Sequence, residues 1–185
     1  MSPQSQEPIE FSWVGETARH VGTIVHGWLQ RIAMEGLERW DGARISRLRA
    51  GVERELAWRG IPEADREAAS AKVLRALAGA IEDERGRWLL RTRAGARSEY
   101  RLRLATAEGV RLVVIDRTFI DDDGRRWIVD YKTGAHEGAE PERFLDRELE
   151  RYRAQLLGYA SAFPGEAVSL GLYFPLMKGW RELAP

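Results

Sequence analysis

Two carboxylates and one ammonium group, from Asp116, Asp130 and Lys132, lie on neighbouring predicted strands of this 185-residue chain. Asp116 belongs to the apolar run of residues 110–120, and the other two belong to residues 126–132. Facing carboxylates repel each other unless a cation bridges them. A divalent ion between them would bind a phosphate oxygen and lower the pKa of its water. Lys132 could orient or deprotonate that water, or neutralise charge that develops on the phosphate. These residue types therefore fit the hydrolysis of a phosphodiester.

The turn between the two strands decides whether these groups meet. If the loop spans residues 121–125 (DDDGR), Ile120 pairs with Arg126, and Asp116 lies directly opposite Asp130. Opposed side chains of an antiparallel pair have Cβ atoms roughly 4.5–5.5 Å apart. This register would therefore bring the two carboxylates into contact range.

A different turn would separate them. A two-residue turn at Asp123 and Gly124 shifts the register by one and puts Asp116 opposite Tyr131. Isolated charged residues on strands are mostly solvated surface residues. Spacing alone leaves both registers open. In either case, alternation along the second strand divides its residues between two faces: Ile128, Asp130 and Lys132 on one, Trp127, Val129 and Tyr131 on the other.

The elements that must position these residues begin with a helical N-terminal part. Residues 1–15 are rich in Ser, Pro, Gln and Glu and are predicted to be a flexible tail or linker, followed by a single domain over residues 16–185. The period of the apolar residues predicts helices over residues 16–40, 41–58 and 62–81.

Strand patterns dominate after Gly86. Alternation and turn residues predict strands at 98–106, 110–120, 126–132 and 167–174, a loop at 134–142 and a helix at 142–163. Helices followed by a three-strand meander, a helix and a further strand predict an α/β domain with a mixed sheet.

Composition limits the chemistry and the location. The 29 basic and 29 acidic residues cancel, so binding to DNA would have to come from local patches or from an attached partner. The absence of cysteine excludes iron–sulfur clusters and leaves oxygen and imidazole as metal ligands. The sequence contains neither a long apolar run nor a secretory signal, which favours a cytoplasmic location and no membrane association. It also lacks the phosphate loop of an ATPase.

Several segments, in this order along the chain, resemble motifs of the PD-(D/E)xK nucleases of the RecB and AddA helicase–nucleases. The segments are Gly22-Thr23-Ile24-Val25-His26 (Gly-x-x-x-His), Trp88-Leu89-Leu90, Ser98-Glu99, Val114-Ile115-Asp116-Arg117, Ile128-Val129-Asp130-Tyr131-Lys132-Thr133-Gly134, and Tyr152 to Tyr159 (Tyr-x-x-Gln-Leu-x-x-Tyr). Val113 departs from the pattern, since the family usually has glycine there. The resemblance implies a restriction-endonuclease-like fold, in which helices flank a mixed sheet behind an N-terminal helical portion.

The resemblance also implies roles for individual residues. The implied metal ligands are His26, Asp116, Asp130 and the carbonyl group of Tyr131. Lys132 is the implied catalytic lysine, while Gln155 and Tyr159 would line the site and contact DNA or position Lys132. Glu99 would lie near the metal as an outer or second-site carboxylate; without the resemblance it is only a polar strand residue.

Two of these assignments have an ordinary alternative. A lone histidine in an amphipathic helix is more often a buried or boundary residue than a ligand, and only the resemblance favours His26 as a ligand. His20 and His136 have no such support. Tyr152, Gln155 and Tyr159 share one helix face, but both tyrosines could equally be core residues with satisfied hydroxyls.

The resemblance implies a nuclease that uses Mg²⁺ and tolerates Mn²⁺. Because His26 must be neutral to bind a metal, binding is expected to weaken below about pH 6.5. The family context implies an exonuclease of recombinational double-strand-break repair. It would be the nuclease domain of a UvrD/Rep-like helicase–nuclease, with DNA, the helicase portion of the same natural chain, and a RecC- or AddB-like subunit as partners.

Two alternatives remain from other classes. One is a catalytically silent DNA-binding or interaction module that keeps the nuclease fold. Loss of Asp116, Asp130 or Lys132 would mark such a module, and all three are present. The other is a structural metal-binding domain, which would lose stability on chelation and show no nuclease activity.

Overall fold

A mixed five-stranded sheet lies between two layers of helices in the computed structural model, which describes residues 7–93, 95–106, 109–135 and 140–183. The helices are α1 (Glu7–Glu35), α2 (Gly42–Ser46), α3 (Arg49–Trp58), α4 (Glu63–Glu82), α5 (Glu84–Leu90) and α6 (Pro141–Ala160), with a 3₁₀ turn at Leu37–Arg39. The strands are β1 (Arg97–Thr106), β2 (Gly109–Ile120), β3 (Arg126–Tyr131), β4 (Val168–Phe174) and β5 (Gly179–Leu183). The predicted fold class is confirmed.

The strands follow each other in sequence order across the sheet, and only β3 and β4 are parallel. Parallel neighbours need a crossover, and α6 provides it. Helix α6 packs on one face of the sheet around Leu156 and Ile128, while the helices from α1 to α5 cover Phe119 and Val129 on the other. The predicted alternation of the β3 side chains is therefore confirmed, because each helical layer covers one set.

The N-terminal helices differ from the prediction at their ends. Helix α1 begins at Glu7, inside the segment 1–15 predicted to be a tail, and residues 1–6 lie outside the described residues. It ends before Gly36, whose φ of 93° is the left-handed conformation that glycine adopts after a helix. The predicted second helix is interrupted where Leu48 N–H donates to Ile45 O at 3.0 Å, a tighter turn than an α-helix makes.

Two short elements have no counterpart in the prediction. Helix α5 contains the Trp-Leu-Leu segment and begins where the carboxylate of Asp83 accepts from Gly86 N–H at 3.0 Å. Strand β5 closes the sheet beside β4. Each element is too short to show a clear hydrophobic period. None of the helices in the described part of the chain has the length and apolarity needed to cross a bilayer.

The β2–β3 turn adopts the five-residue loop, so the first of the two predicted registers is correct. Ile120 pairs with Arg126, and the ladder continues in step to Arg117 and Val129. The carboxylate of Asp121 holds this loop, because it accepts from Arg125 N–H at 2.9 Å and from the Trp127 indole at 2.7 Å. These contacts inside the turn select the register that brings Asp116 alongside Asp130.

The pairing of β1 with β2 is interrupted where Glu99 would face Asp116. Glu99 has a φ of 50°, a conformation that residues other than glycine seldom adopt. The side chains of β2 change faces at this point, since Ile115 belongs to the core under α6 and Phe119 to the opposite core. Plain alternation would put these two on one face. Backbone strain of this kind is commonly retained at functional sites.

A buried guanidinium joins β2 to the end of α5. Arg117 is 3% exposed and donates to Leu89 O at 3.0 Å, Arg91 O at 2.9 Å and Ser98 Oγ at 3.0 Å. Burial lowers the pKa of Arg117 below its usual value. The residue next to Asp116 therefore holds the surrounding elements in place.

We expect Arg117→Lys to lower the free energy of unfolding by roughly 1–3 kcal/mol, because one ammonium cannot reach all three acceptors and leaves buried groups unpaired. Urea denaturation would measure this loss. Arg97→Lys, at an exposed position of β1, serves as the control and should change little. Equal stability of the two variants would contradict the assigned role of Arg117.

Candidate metal centre and active site

The predicted site residues converge at the end of β3. Helix α1 brings His26 to this point from one face of the sheet, and α6 brings Gln155 from the other. Gly22 allows the approach of α1, because a Cβ there would lie 3.3 Å from Thr133 Oγ1. The Gly-x-x-x-His spacing thus has a physical reason: the glycine lets the helix lie against the end of the strand one turn before the histidine.

His26 lies between acidic and carbonyl oxygen atoms. Its Nδ1 is 3.4 Å from Asp116 Oδ1 and 3.6 Å from Glu99 Oε1, and its Nε2 is 3.1 Å from the carbonyl oxygen of Tyr131. The other oxygen of Asp116 accepts from Tyr131 N–H at 2.7 Å. One carboxylate therefore connects the histidine to the backbone at the end of β3.

These surroundings favour the charged imidazole. Burial of the ring opposes its charge, but hydrogen bonds and charge from Asp116 and Glu99 outweigh this effect and raise the pKa of His26 to about 10. Both ring nitrogens face acceptors, and only the imidazolium donates from both. The proton on His26 is therefore held well above pH 6.5, and a metal ion that binds the ring would have to displace it.

Asp130 and Lys132 form the second half of the site. Lys132 Nζ lies 2.7 Å from Asp130 Oδ2 and 3.6 Å from the centroid of the Tyr152 ring. Gln155 Nε2 donates to Asp130 Oδ1 at 3.1 Å and to the Tyr159 hydroxyl at 2.6 Å. The face of α6 that the spacing predicted therefore contacts both Asp130 and Lys132.

Asp130 is a buried acid in an unfavourable setting. Burial and the nearby charge of Asp116 raise its pKa to about 6, although Lys132 and His26 act in the opposite direction. The ionised form is thus strained in the metal-free protein, as expected for carboxylates that need a cation. Burial is the larger cause, and the charge of Asp116 adds to it in the direction expected for neighbouring carboxylates.

All the predicted site residues lie in this region, and their roles remain predictions. Glu99 lies closer to His26 than its sequence signal suggested, and only the strained backbone of β1 brings it there. Tyr152, rather than Gln155 or Tyr159, contacts Lys132. The shared helix face was the only sequence signal for that contact. His20 is half-buried on α1, and His136 lies outside the described residues.

The donor set fits a hard divalent cation. Ligand atoms of His26, Glu99 and Asp116 lie within 4.8 Å of one another, the one such cluster in the described part of the chain. Carboxylate, carbonyl and imidazole donors suit Mg²⁺ or Mn²⁺. Added positive charge would also relieve the repulsion between Asp116 and Asp130, which is a physical reason for a metal here.

A mixed sheet between helices, ending in acidic groups, a lysine and a histidine, has the architecture of a metal-dependent nuclease. Residues 12–173 match the sequence model of the PD-(D/E)XK nuclease superfamily. The chain belongs to this superfamily, whose nucleases are hydrolases that use divalent metals. A search of curated proteins finds no match to the chain.

Proposed function

We propose that the chain is a Mg²⁺-dependent deoxyribonuclease that also works with Mn²⁺. The observation that carries this proposal is the convergence of Asp116, Asp130 and Lys132 with His26 at the end of β3. His26, Asp116, Asp130 and the Tyr131 carbonyl group would hold the ion, and Glu99 is close enough to contribute. A bound divalent ion supplies positive charge that polarises the phosphodiester and acidifies water.

Other side chains would stabilise the developing charge and position the reacting groups. Lys132 Nζ, held between Asp130 and the Tyr152 ring, would donate to the attacking water or to a phosphate oxygen and so stabilise developing negative charge. Gln155 holds Asp130 in place through its amide and engages the Tyr159 hydroxyl. These contacts restrict the lysine and the acid to one geometry before substrate arrives, which is how positioning lowers an activation barrier.

We further propose the biological setting. The motif set resembles the RecB and AddA branch, so the chain would act as an exonuclease in recombinational double-strand-break repair, in the cytoplasm, beside a helicase portion and a RecC- or AddB-like subunit. The zero net charge supports this setting, because a motor that delivers DNA makes strong intrinsic affinity unnecessary. Tight binding of duplex DNA by this chain alone at moderate salt would contradict it.

Cleavage of labelled linear and circular DNA in Mg²⁺ or Mn²⁺ tests the activity. Lys132→Ala should reduce the rate by at least about a hundredfold, because it removes a proton donor at the reacting phosphate. Lys72→Ala on α4 is the matched control and should cleave normally. A chelator should stop the wild type.

Three outcomes would contradict the proposed activity. Cleavage that survives both Lys132→Ala and the chelator would come from another source. Absence of any cleavage, with intact folding and DNA binding, would identify a catalytically silent module instead. Loss of stability on chelation without cleavage by any variant would point to a structural metal.

A further inference from the structure

A cavity of about 640 Å³ opens directly beside the metal centre, between α1, α3 and β1. His26 and Glu99 form its inner wall, so anything bound in the cavity touches the site. Cavities of roughly 300–1,000 Å³ hold ligands the size of a nucleotide. The size and position fit a segment of the substrate rather than an unrelated small molecule.

The outer walls of this cavity carry three guanidinium groups, from Arg31, Arg59 and Arg101. Arg31 donates to Glu35 at 2.6 Å, and Arg59 donates to Glu55 through Nε and Nη2. Arg101 is exposed, and its side chain makes no hydrogen bond or ion pair with any described residue. A guanidinium has five N–H donors. Arg59 and Arg101 therefore keep donors that can reach phosphate oxygens.

Trp28 gives the same cavity an aromatic wall. Its ring packs edge-on against Trp40, with centroids 6.0 Å apart, and the Arg31 guanidinium lies over it at 5.0 Å from the centroid. The ring remains half-buried where it lines the cavity. Proteins that hold single strands combine arginine contacts to the backbone with aromatic surfaces for the bases. A duplex is instead a convex cylinder, read by elements that enter its grooves. The concave, mixed wall favours an unpaired strand.

We propose that this cavity binds the single DNA strand that carries the scissile phosphodiester, with Arg59 and Arg101 contacting its phosphates and Trp28 contacting a base. This inference rests on the proposed function, because it takes the adjacent metal centre as the place of cleavage. The net charge of zero does not oppose it, since three guanidinium groups outnumber the two carboxylates, of Glu55 and Glu99, in the lining of the cavity. Glu55 limits the affinity by occupying two nitrogens of Arg59.

Fluorescence anisotropy with a labelled oligothymidylate and a labelled duplex of equal length, at low salt with chelator present, measures binding without cleavage. Arg59→Gln and Arg101→Gln should each weaken single-strand binding roughly fivefold to tenfold and reduce the salt slope by about 0.7 per lost phosphate contact. Glu55→Gln should strengthen binding several-fold, because it frees Arg59. A general loss of folding would weaken binding in every variant, so it cannot explain weaker binding by Arg59→Gln together with stronger binding by Glu55→Gln.

Arg54→Gln is the matched control. Arg54 lies on α3, five residues before Arg59, but lines a different groove, with Arg49 and Glu67, and its replacement should leave binding and cleavage unchanged. Equal losses for Arg54→Gln and Arg59→Gln would overturn the proposal, as would no loss for Arg59→Gln and Arg101→Gln. Equal losses on the duplex would overturn the preference for a single strand.

The two proposals fail separately in this design. Wild-type protein that binds through Arg59 and Arg101 but never cleaves DNA in Mg²⁺ contradicts the proposed activity and leaves the strand-binding cavity standing. If the protein cleaves DNA but neither Arg59→Gln nor Arg101→Gln weakens DNA binding, the cavity assignment is contradicted and the proposed activity is not.

Discussion

Asp130→Asn should abolish hydrolysis and at the same time make the metal-free domain more stable at neutral pH. The rate should fall on the order of a thousandfold or more, because the variant loses a proposed metal ligand and the partner of Lys132. The stability gain has a separate cause. Folding raises the pKa of Asp130 from 3.8 to about 6, so the ionised form is less stable in the folded protein than in the unfolded chain.

The sign of the pH dependence follows from that shift. An acid whose pKa rises on folding contributes its full stability below pH 3.8 and loses it as the pH rises through about 6. At pH 7 the neutral asparagine should therefore increase the free energy of unfolding by about 1–3 kcal/mol. Urea denaturation with chelator at pH 7 and pH 4 measures the difference, which should disappear at pH 4.

A control on the same hairpin separates this effect from a general loss of negative charge. Asp122 is exposed in the β2–β3 turn, and Asp122→Asn should leave both activity and stability nearly unchanged. A destabilised Asp130→Asn variant at pH 7 would show that the ion pair with Lys132 outweighs the burial of the acid. Full activity would remove Asp130 from the site.

Affinity for Mg²⁺ should increase roughly tenfold per pH unit between pH 7 and 9, or about a hundredfold in total. As a proposed ligand, His26 would exchange its proton for the metal, and the pKa of its ring is about 10 in the folded protein. Because the ligand must be neutral, each bound ion releases one proton throughout this range. Calorimetry in buffers of different ionisation enthalpy measures both the affinity and the released proton.

Two variants on α1 make this result specific. His26→Asn should weaken binding and remove most of the pH dependence, whereas His20→Asn, six residues earlier on the same helix, should keep both. An affinity that is flat from pH 7 to 9 in the wild type would show that His26 does not exchange a proton for the metal. His26 would then act as a fixed cation beside Asp116 and Glu99.

Local patterns in the sequence were sufficient for the class of fold and for the side chains that share one face of β3 or of α6. The alternation around Asp130 and the helical spacing from Tyr152 to Tyr159 are short-range signals, and each places its side chains on one face by geometry alone. The prediction of a mixed sheet between helices is correct for the same reason. Short elements such as α5 could not be predicted, because seven residues show no clear period.

The sequence alone could not decide between two registers of the β2–β3 hairpin. The residues DDDGR are compatible with a two-residue turn and with a five-residue loop. The choice between them depends on hydrogen bonds that Asp121 makes within the folded loop. Only the folded turn selects the five-residue form. As a consequence, Asp116 and Asp130 come close enough for the charge of Asp116 to raise the pKa of Asp130.

The pairing of Asp130 with Lys132 thus follows from the local sequence, whereas the other residues of the site are brought to it by the tertiary structure. Spacing placed Asp130 and Lys132 on one face of a strand, because that requires only the two-residue repeat of the backbone. Contacts across the fold bring in His26, more than a hundred residues before Tyr131 in the chain, and Glu99 through a strained position of β1. They also raise the pKa of Asp130, through burial and the charge of Asp116, and the pKa of His26, through Asp116 and Glu99, because these groups come together only once the layers have packed.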